Sequence, residues 1–152
     1  MTISLEREAP DSPDGAALVL ELEDHLAARY PAESRHGFSV ERLAADGVHF
    51  FVLREDGAAV GCGGVLLVDG EYGEIKRMFV RPEYRGRGFG RVILAHLVAH
   101  AQGLGFGIVR LETGADQVEA ISLYASAGFR RCAPFGPYRE DPLSPCYELR
   151  LT

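Results

Sequence analysis

The sequence predicts a mixed α/β (α+β) fold: a central, mostly antiparallel sheet of about six to seven strands flanked by about four helices. Three observations predict it. Short alternating or apolar runs are interleaved with stretches of helical periodicity in the order β-α-α-β-β-β-α-β-α-β-β. Two Asp-Gly pairs, Asp56-Gly57 and Asp69-Gly70, separate three consecutive strand-like runs, which is the pattern of an antiparallel meander. A helical stretch then lies between two strands, a βαβ-like crossover that makes the sheet mixed.

Each element has a local reason. Residues 2–7 (TISLER) alternate and form the first strand. Ser12 caps a helix whose first position is Pro13, a residue preset for that place. That helix runs to about Arg29, and Pro31 stops it. Residues 31–38 (PAESRHGF) read as a polar loop, and SVERLAADG (39–47) as a short helix ended by Gly47. The meander strands are VHFFVLR (48–54), AAVGCGGVLLV (58–68) and YGEIKRMFVRP (72–82), the last closed by Pro82. On a regular strand, Glu74, Lys76, Met78 and Val80 would share one face. Ile93, Leu94, Leu97, Val98 and Ala101 mark the apolar side of the next helix, which Gly103 and Gly105 end. GIVRLETG (107–114) is a fifth strand. Asp116 is expected to cap a fourth helix, with Glu119 as its box partner and Gly128 at its end. FRRC (129–132) and CYELRL (146–151) are the last strands, joined by the Pro-rich loop APFGPYREDPLSP.

The totals narrow the function classes. The 152 residues fit one domain, 1–152, long enough to fold without a disulfide or a metal. A formal net charge of −6 argues against a general nucleic-acid partner. No apolar run approaches the ~18 residues of a membrane span, and MTISLEREAP lacks the apolar core of a signal peptide. No membrane partner is expected. The cysteines, Cys62, Cys132 and Cys146, are odd in number and form no C-x-x-C pair, as for reduced thiols in a cytoplasmic protein. His96 and His100 stand four apart but lack the glutamate of H-E-x-x-H, so they read as a partly exposed helix face and no metal site is expected.

Against this acidic average, RPEYRGRGFGRVIL (81–94) is basic and glycine-rich, and six of the sixteen Lys and Arg residues fall between Lys76 and Arg91. A dinucleotide fingerprint needs G-x-G-x-x-G, but Gly86, Gly88 and Gly90 are followed by Arg91. A Walker loop needs Gly-Lys-Ser/Thr, which is absent. Two readings remain from the residues alone: a turn with solvated charge, or an anion cradle at a helix N-terminus. In the second, unpaired N–H groups and the helix dipole face a pyrophosphate, with arginines at 85, 87 and 91 beside it.

Arg85-Gly86-Arg87-Gly88-Phe89-Gly90 resembles R/Q-x-x-G-x-G/A, the acetyl-CoA signature of the GNAT N-acetyltransferases. IKRMFVRPEY resembles the strand that precedes it in that family, and ISLYASAGF (121–129) resembles the A-x-x-L-Y-x-x-x-G-F block. The resemblance covers most of the chain and implies the GNAT fold. It further implies that Gly86 through Arg91 hold the CoA pyrophosphate by backbone groups, and that Arg85 and Arg87 add charge or position the loop. Met78, Phe79 and Val80 would pair with the pantetheine arm beside a β-bulge that opens a wedge, and a strand N–H would face the thioester oxygen. Gln117 falls where many members have a CoA-contacting asparagine. Tyr124 matches the tyrosine that protonates the departing thiolate. Glu74 aligns with the catalytic glutamate of GNAT histone acetyltransferases. Glu112, water alone, or a structural pairing of Glu112 with Arg110 remain alternatives at that point.

The resemblance places the acceptor against Tyr30 to Phe38 and Pro134 to Pro145, with Arg35 and Tyr138 as substrate-binding candidates. Lys76 and Arg77 are two more, through an acidic group on the acceptor. The implied activity is acetyl transfer from acetyl-CoA, as cosubstrate, to a primary amine of a small molecule or peptide by direct ternary-complex transfer. The rival is an acetyl-CoA-binding regulator without turnover. Members of the family are often homodimers. The tail PFGPYREDPLSPCYE is similar to that of a bacterial subgroup sometimes labelled as acting on indole-acetate-type compounds.

Overall fold

In the computed structural model, which describes residues 1–151, the chain runs β1 (Ile3–Arg7), α1 (Pro13–Ala27), α2 (Val40–Ala45), β2 (His49–Glu55), β3 (Ala58–Val68), β4 (Tyr72–Val80), α3 (Phe89–Gly103), β5 (Ile108–Glu112), α4 (Val118–Ser126), β6 (Arg130–Cys132) and β7 (Cys146–Arg150). The strands form one sheet in the order β1-β2-β3-β4-β5-β7-β6. Only β4 and β5 pair in parallel, because the crossover through α3 joins them; every other pair is antiparallel. Asp56 and Gly57 both take positive φ, 50° and 87°, the backbone hand that suits a tight turn between twisted strands. The Ser12 hydroxyl accepts from the Gly15 N–H at 3.0 Å, so α1 begins with the cap its sequence supplies.

Apolar residues on both faces of the sheet give two cores. Leu18, Val19 and Leu22 of α1 and Leu43 of α2 pack on Phe50, Val52 and Phe79. On the other face, Ile93, Leu94 and Leu97 of α3 and Tyr124 of α4 pack on Val60, Val65 and Ile75. A smaller cluster of Tyr72, Phe135, Tyr138 and Cys146 pins the β6–β7 loop to the sheet.

The irregularity that shapes the site lies in β4. Lys76 opposes Gly64 and Phe79 opposes Cys62, so Arg77 and Met78 together face the single Gly63. This is a bulge, and Arg77 absorbs it at a φ of 56°. The expectation that Glu74, Lys76, Met78 and Val80 share a face is therefore corrected. The extra residue reverses the alternation: Ile75, Met78 and Val80 point toward α3, while Phe79 joins the α1 side. β4 and β5 pair only over Gly73–Ile75 and Val109–Leu111. Past Ile75, the β4 edge facing β5 has no partner strand, and the two strands splay into a wedge.

Three further expectations change. Asp116 does not cap α4: Gln117 occupies that position without a side-chain bond, and the Asp116–Glu119 box is not formed. The Asp116 carboxylate instead accepts from the Tyr30 hydroxyl, which in turn accepts from the Asp116 N–H at 3.2 Å. β4 ends at Val80, and Pro82–Tyr84 forms a 3₁₀ turn. The 31–38 segment contains another, Ala32–Ser34, and buries Ser34.

Candidate active site

The basic stretch forms one end of a cleft of about 500 Å³ between β4, the N-terminus of α3 and the start of α4. Gly86 and Gly88 take φ values of 78° and 84°, which glycine adopts without strain. A Cβ on either would meet nothing within 4 Å, so the backbone borders open space. Gly88 is the α3 N-cap and brings no side-chain oxygen. The first-turn N–H groups of this 15-residue helix are thus left to an outside acceptor, with the positive end of the helix dipole behind them. Met78, Phe79 and Val80 line the same cleft from the free edge of β4, with Arg85, Arg91 and Gln117 around it. A polyanion with an extended polar arm, as in CoA, fits both features: phosphate on the helix end and the arm along an unpaired strand edge.

A second cavity, about 120 Å³, opens on the far side of the wedge. Its walls include Ser34, Arg35 and His36 from the α1–α2 connection, Glu74, Lys76 and Arg77 from β4, Glu112 from β5, and Tyr138 from the β6–β7 loop. Glu74, Lys76 and Tyr138 form a buried triad. Lys76 Nζ lies 3.0 Å from Glu74 Oε2 and donates to the Tyr138 hydroxyl at 2.6 Å, and that hydroxyl donates to Glu74. Burial lowers the Lys76 pKa against the pull of Glu74, and burial followed by the Glu74 charge raises that of Tyr138. Glu112 accepts a hydrogen bond from Ser144. Burial raises its pKa, and the Ser144 bond opposes the shift. The two cavities share Leu22, Met78, Gln117, Ala120 and Tyr124, so Tyr124 stands where they meet. Burial, then the Glu112 charge, raises the Tyr124 pKa, so the phenol keeps its proton at neutral pH.

Comparison with known proteins agrees with this fold. Residues 15–129 match the model of the acetyltransferase (GNAT) family. The chain belongs to the GNAT acetyltransferases. It is 41% identical over 143 residues to an IAA acetyltransferase of Azospirillum brasilense, covering 93% of this chain and 94% of that one. A crystal structure from Klebsiella pneumoniae, assigned to the acyl-CoA N-acyltransferases, superimposes with a TM-score of 0.83 at 31% identity over 99% of both chains. A Salmonella typhimurium structure with its cofactor acetyl-CoA shares the fold, with a TM-score of 0.73 at 21% identity, over all of this chain and 95% of that one. The chain is thus an acyltransferase of this family. No helix among the described residues is long and apolar enough to cross a membrane.

Within this GNAT chain, the sequence-derived site residues gather on the two cavities, with one exception. The Arg87 side chain turns away to pair with Glu55 of β2, so it positions the loop. Arg85 Nε donates to the Val80 carbonyl at 2.9 Å, tying the loop back to β4. The Phe89 side chain is buried in the core, which leaves its backbone for the cleft. Arg77 lines the smaller cavity, but its guanidinium is taken up by Glu23 and, at 2.9 Å, by the Phe38 carbonyl. The suggested Arg110–Glu112 pair does not form: Arg110 binds Glu148 at 2.9 Å. The sequence reading missed His25 and Arg29, which enter the larger cleft from the end of α1, and the Tyr30–Asp116 clasp. Gly114 was the available signal for that clasp, since a Cβ there would lie 2.1 Å from the Tyr30 hydroxyl.

Proposed function

We propose that this chain transfers the acetyl group of acetyl-CoA directly to a primary amine within a ternary complex. The observation that carries the reading is the meeting of two differently built cavities at Tyr124, one bordered by a helix N-terminus and one by carboxylates. Gly86 through Arg91 bind the pyrophosphate by backbone N–H groups, aided by Arg85, Arg91, His25 and Arg29. Met78, Phe79 and Val80 pair with the pantetheine arm, and Gln117 lies against it from the α4 side. Bound acetyl-CoA supplies an acyl group already activated as a thioester.

The residues of this chain manage the protons. An alkylamine with a pKa near ~10.4 is mostly protonated at neutral pH and cannot attack. Glu112 takes that proton, because a carboxylate whose pKa is raised by burial is the better base. The C–N bond then forms as the C–S bond breaks, with an N–H on the free β4 edge facing the carbonyl oxygen. Tyr124 gives its proton to the leaving sulfur. Glu74 is the second carboxylate in reach, and its bonds to Lys76 and Tyr138 favour a positioning role.

The test is release of CoA thiol from acetyl-CoA by the purified protein with a panel of amines, amino acids and peptides. Acceptor-dependent release is expected, with intersecting initial-rate lines when both substrates are varied. Tight acetyl-CoA binding without release on any acceptor would instead make the protein a cofactor sensor.

A further inference from the structure

Two loops that bound the acceptor cavity are joined above it. Ser34 Oγ, in the α1–α2 connection, donates to Asp141 Oδ2 in the β6–β7 loop at 2.6 Å. Beside it the His36 ring packs edge-on to Tyr138, centroid to centroid 5.4 Å, and Tyr138 is fixed from below by Glu74 and Lys76. These contacts hold together the loops bounding a space of about 120 Å³. An extended peptide binds in a long groove or along a strand edge, whereas a cavity of this size takes a small molecule.

Charge along this cavity is unevenly satisfied. Glu112 lies beside Tyr124 at the end nearest the cofactor-side cleft. At the α1 end, the guanidinium groups of Arg35 and Arg77 share one carboxylate, Glu23, which is itself 38% exposed. Arg77 is completed by the Phe38 carbonyl, and Lys76 is matched by Glu74. Arg35 is incomplete. Its Nη1 reaches Glu23 at 3.2 Å, but its Nε is the one buried side-chain polar atom without a partner among the described residues. A buried donor on a charged group is costly to leave unpaired, and native proteins leave few. A ligand carboxylate is the acceptor whose planar geometry and charge suit a guanidinium edge.

Granted the acetyltransferase reading, we infer that the acceptor is a small amino carboxylic acid whose carboxylate docks on Arg35 while its amine lies at Glu112 beside Tyr124. The cavity is polarised to match: an unsatisfied cation at one end and a proton-accepting carboxylate at the other. The acetyl group passes to the amine nitrogen, CoA leaves as the thiol, and the carboxylate is untouched.

The experiment measures CoA release by the wild-type protein on matched pairs: amino carboxylic acids of varied length, the same amines lacking the carboxylate, and short peptides with free N-termini. At least one amino acid is expected to exceed its carboxylate-free partner by about 10- to 100-fold in kcat/KM, with peptides no better than the bare amines. Arg35→Gln should raise KM for that amino acid by a similar factor with kcat within a few-fold, raise KM for the bare amine by much less, and be partly rescued by Arg35→Lys. Equal or better turnover of bare amines or peptides, or an unchanged KM in Arg35→Gln, overturns the acceptor class and leaves the acetyltransferase reading intact. No turnover on any member of the panel, with acetyl-CoA still bound, overturns both. The matched pairs need only the wild-type chain, so the outcome does not depend on the folding of a variant.

Discussion

Glu112 and Glu74 differ in what holds them, and the difference sets their predicted behaviour. Glu112 has the Ser144 hydroxyl as its partner and a pKa raised by burial. As the base it must be ionised, so kcat/KM should fall as pH drops through a value above the ordinary 4.5 of a glutamate. Glu112→Gln should remove that acidic limb and cost about 10²- to 10⁴-fold in rate, read from a pH–rate profile. Survival of the limb would point to another base. Glu74→Gln acts elsewhere, because Lys76 is only 5% exposed and would lose its anionic partner. It should lower unfolding free energy by roughly 3–5 kcal/mol in denaturant titration, and where folded retain more activity than Glu112→Gln. At this scale the sequence was legible where a motif is local: Gly86 to Arg91 are contiguous, and Tyr124 falls in a short block. Ser34, Ser144 and Tyr30 were not, because their partners lie 107, 32 and 86 positions away and nothing local marks such pairings.

Among elements, the α3 N-terminus and the β4 bulge carry the most. Gly88→Asp would place a carboxylate, in a conformation costly for any side chain, where the dipole and free N–H groups await an anion. Acetyl-CoA binding by calorimetry should drop at least about tenfold, with circular dichroism unchanged. Unaltered affinity would remove the cradle. The first-turn glycines of α3 announced themselves in the sequence, but the bulge did not. Arginine at positive φ is uncommon, and no residue type in IKRMFV signals the extra position. The cap expected of Asp116 failed for a related reason: local propensity made it a cap, and a tertiary bond to Tyr30 claimed its carboxylate first. Between β2 and α3, His49 Nδ1 and His100 Nε2 lie 2.8 Å apart, with Arg7 and His96 as their charged and titratable neighbours. Burial lowers both pKa values, with Arg7 adding to each and His49 and His96 adding at His100. The unfolded chain therefore binds more protons just below its own value of 6.5, and the stability held above that pH is lost as pH falls through the lowered folded values. Thermal melts from pH 7.5 to 5 should show this decline, and His100→Leu should reduce its slope. An equal slope in the variant would assign the decline to other groups.

For the whole molecule, the meander-plus-crossover order led to the sheet, because short connections leave few arrangements of seven strands. The parallel β4–β5 seam follows from that order; its opening into a wedge does not, since it depends on a bulge and on where β5 stops. The same wedge couples ligand to stability. If acetyl-CoA binds only the folded chain, a concentration about 100-fold above its Kd adds about 2.7 kcal/mol, or roughly 5–10 °C in Tm for a chain of this length. A shift absent with acetyl-CoA would contradict binding in the cleft. Above all, acetyl transfer here needs the two cavities to meet at a group that protonates the leaving sulfur. The measurement that tests this most directly is kcat for Tyr124→Phe, taken together with its Kd for acetyl-CoA. A loss of about 10²- to 10⁴-fold in kcat with Kd unchanged is expected; a kcat within twofold of wild type would remove Tyr124 from the transfer.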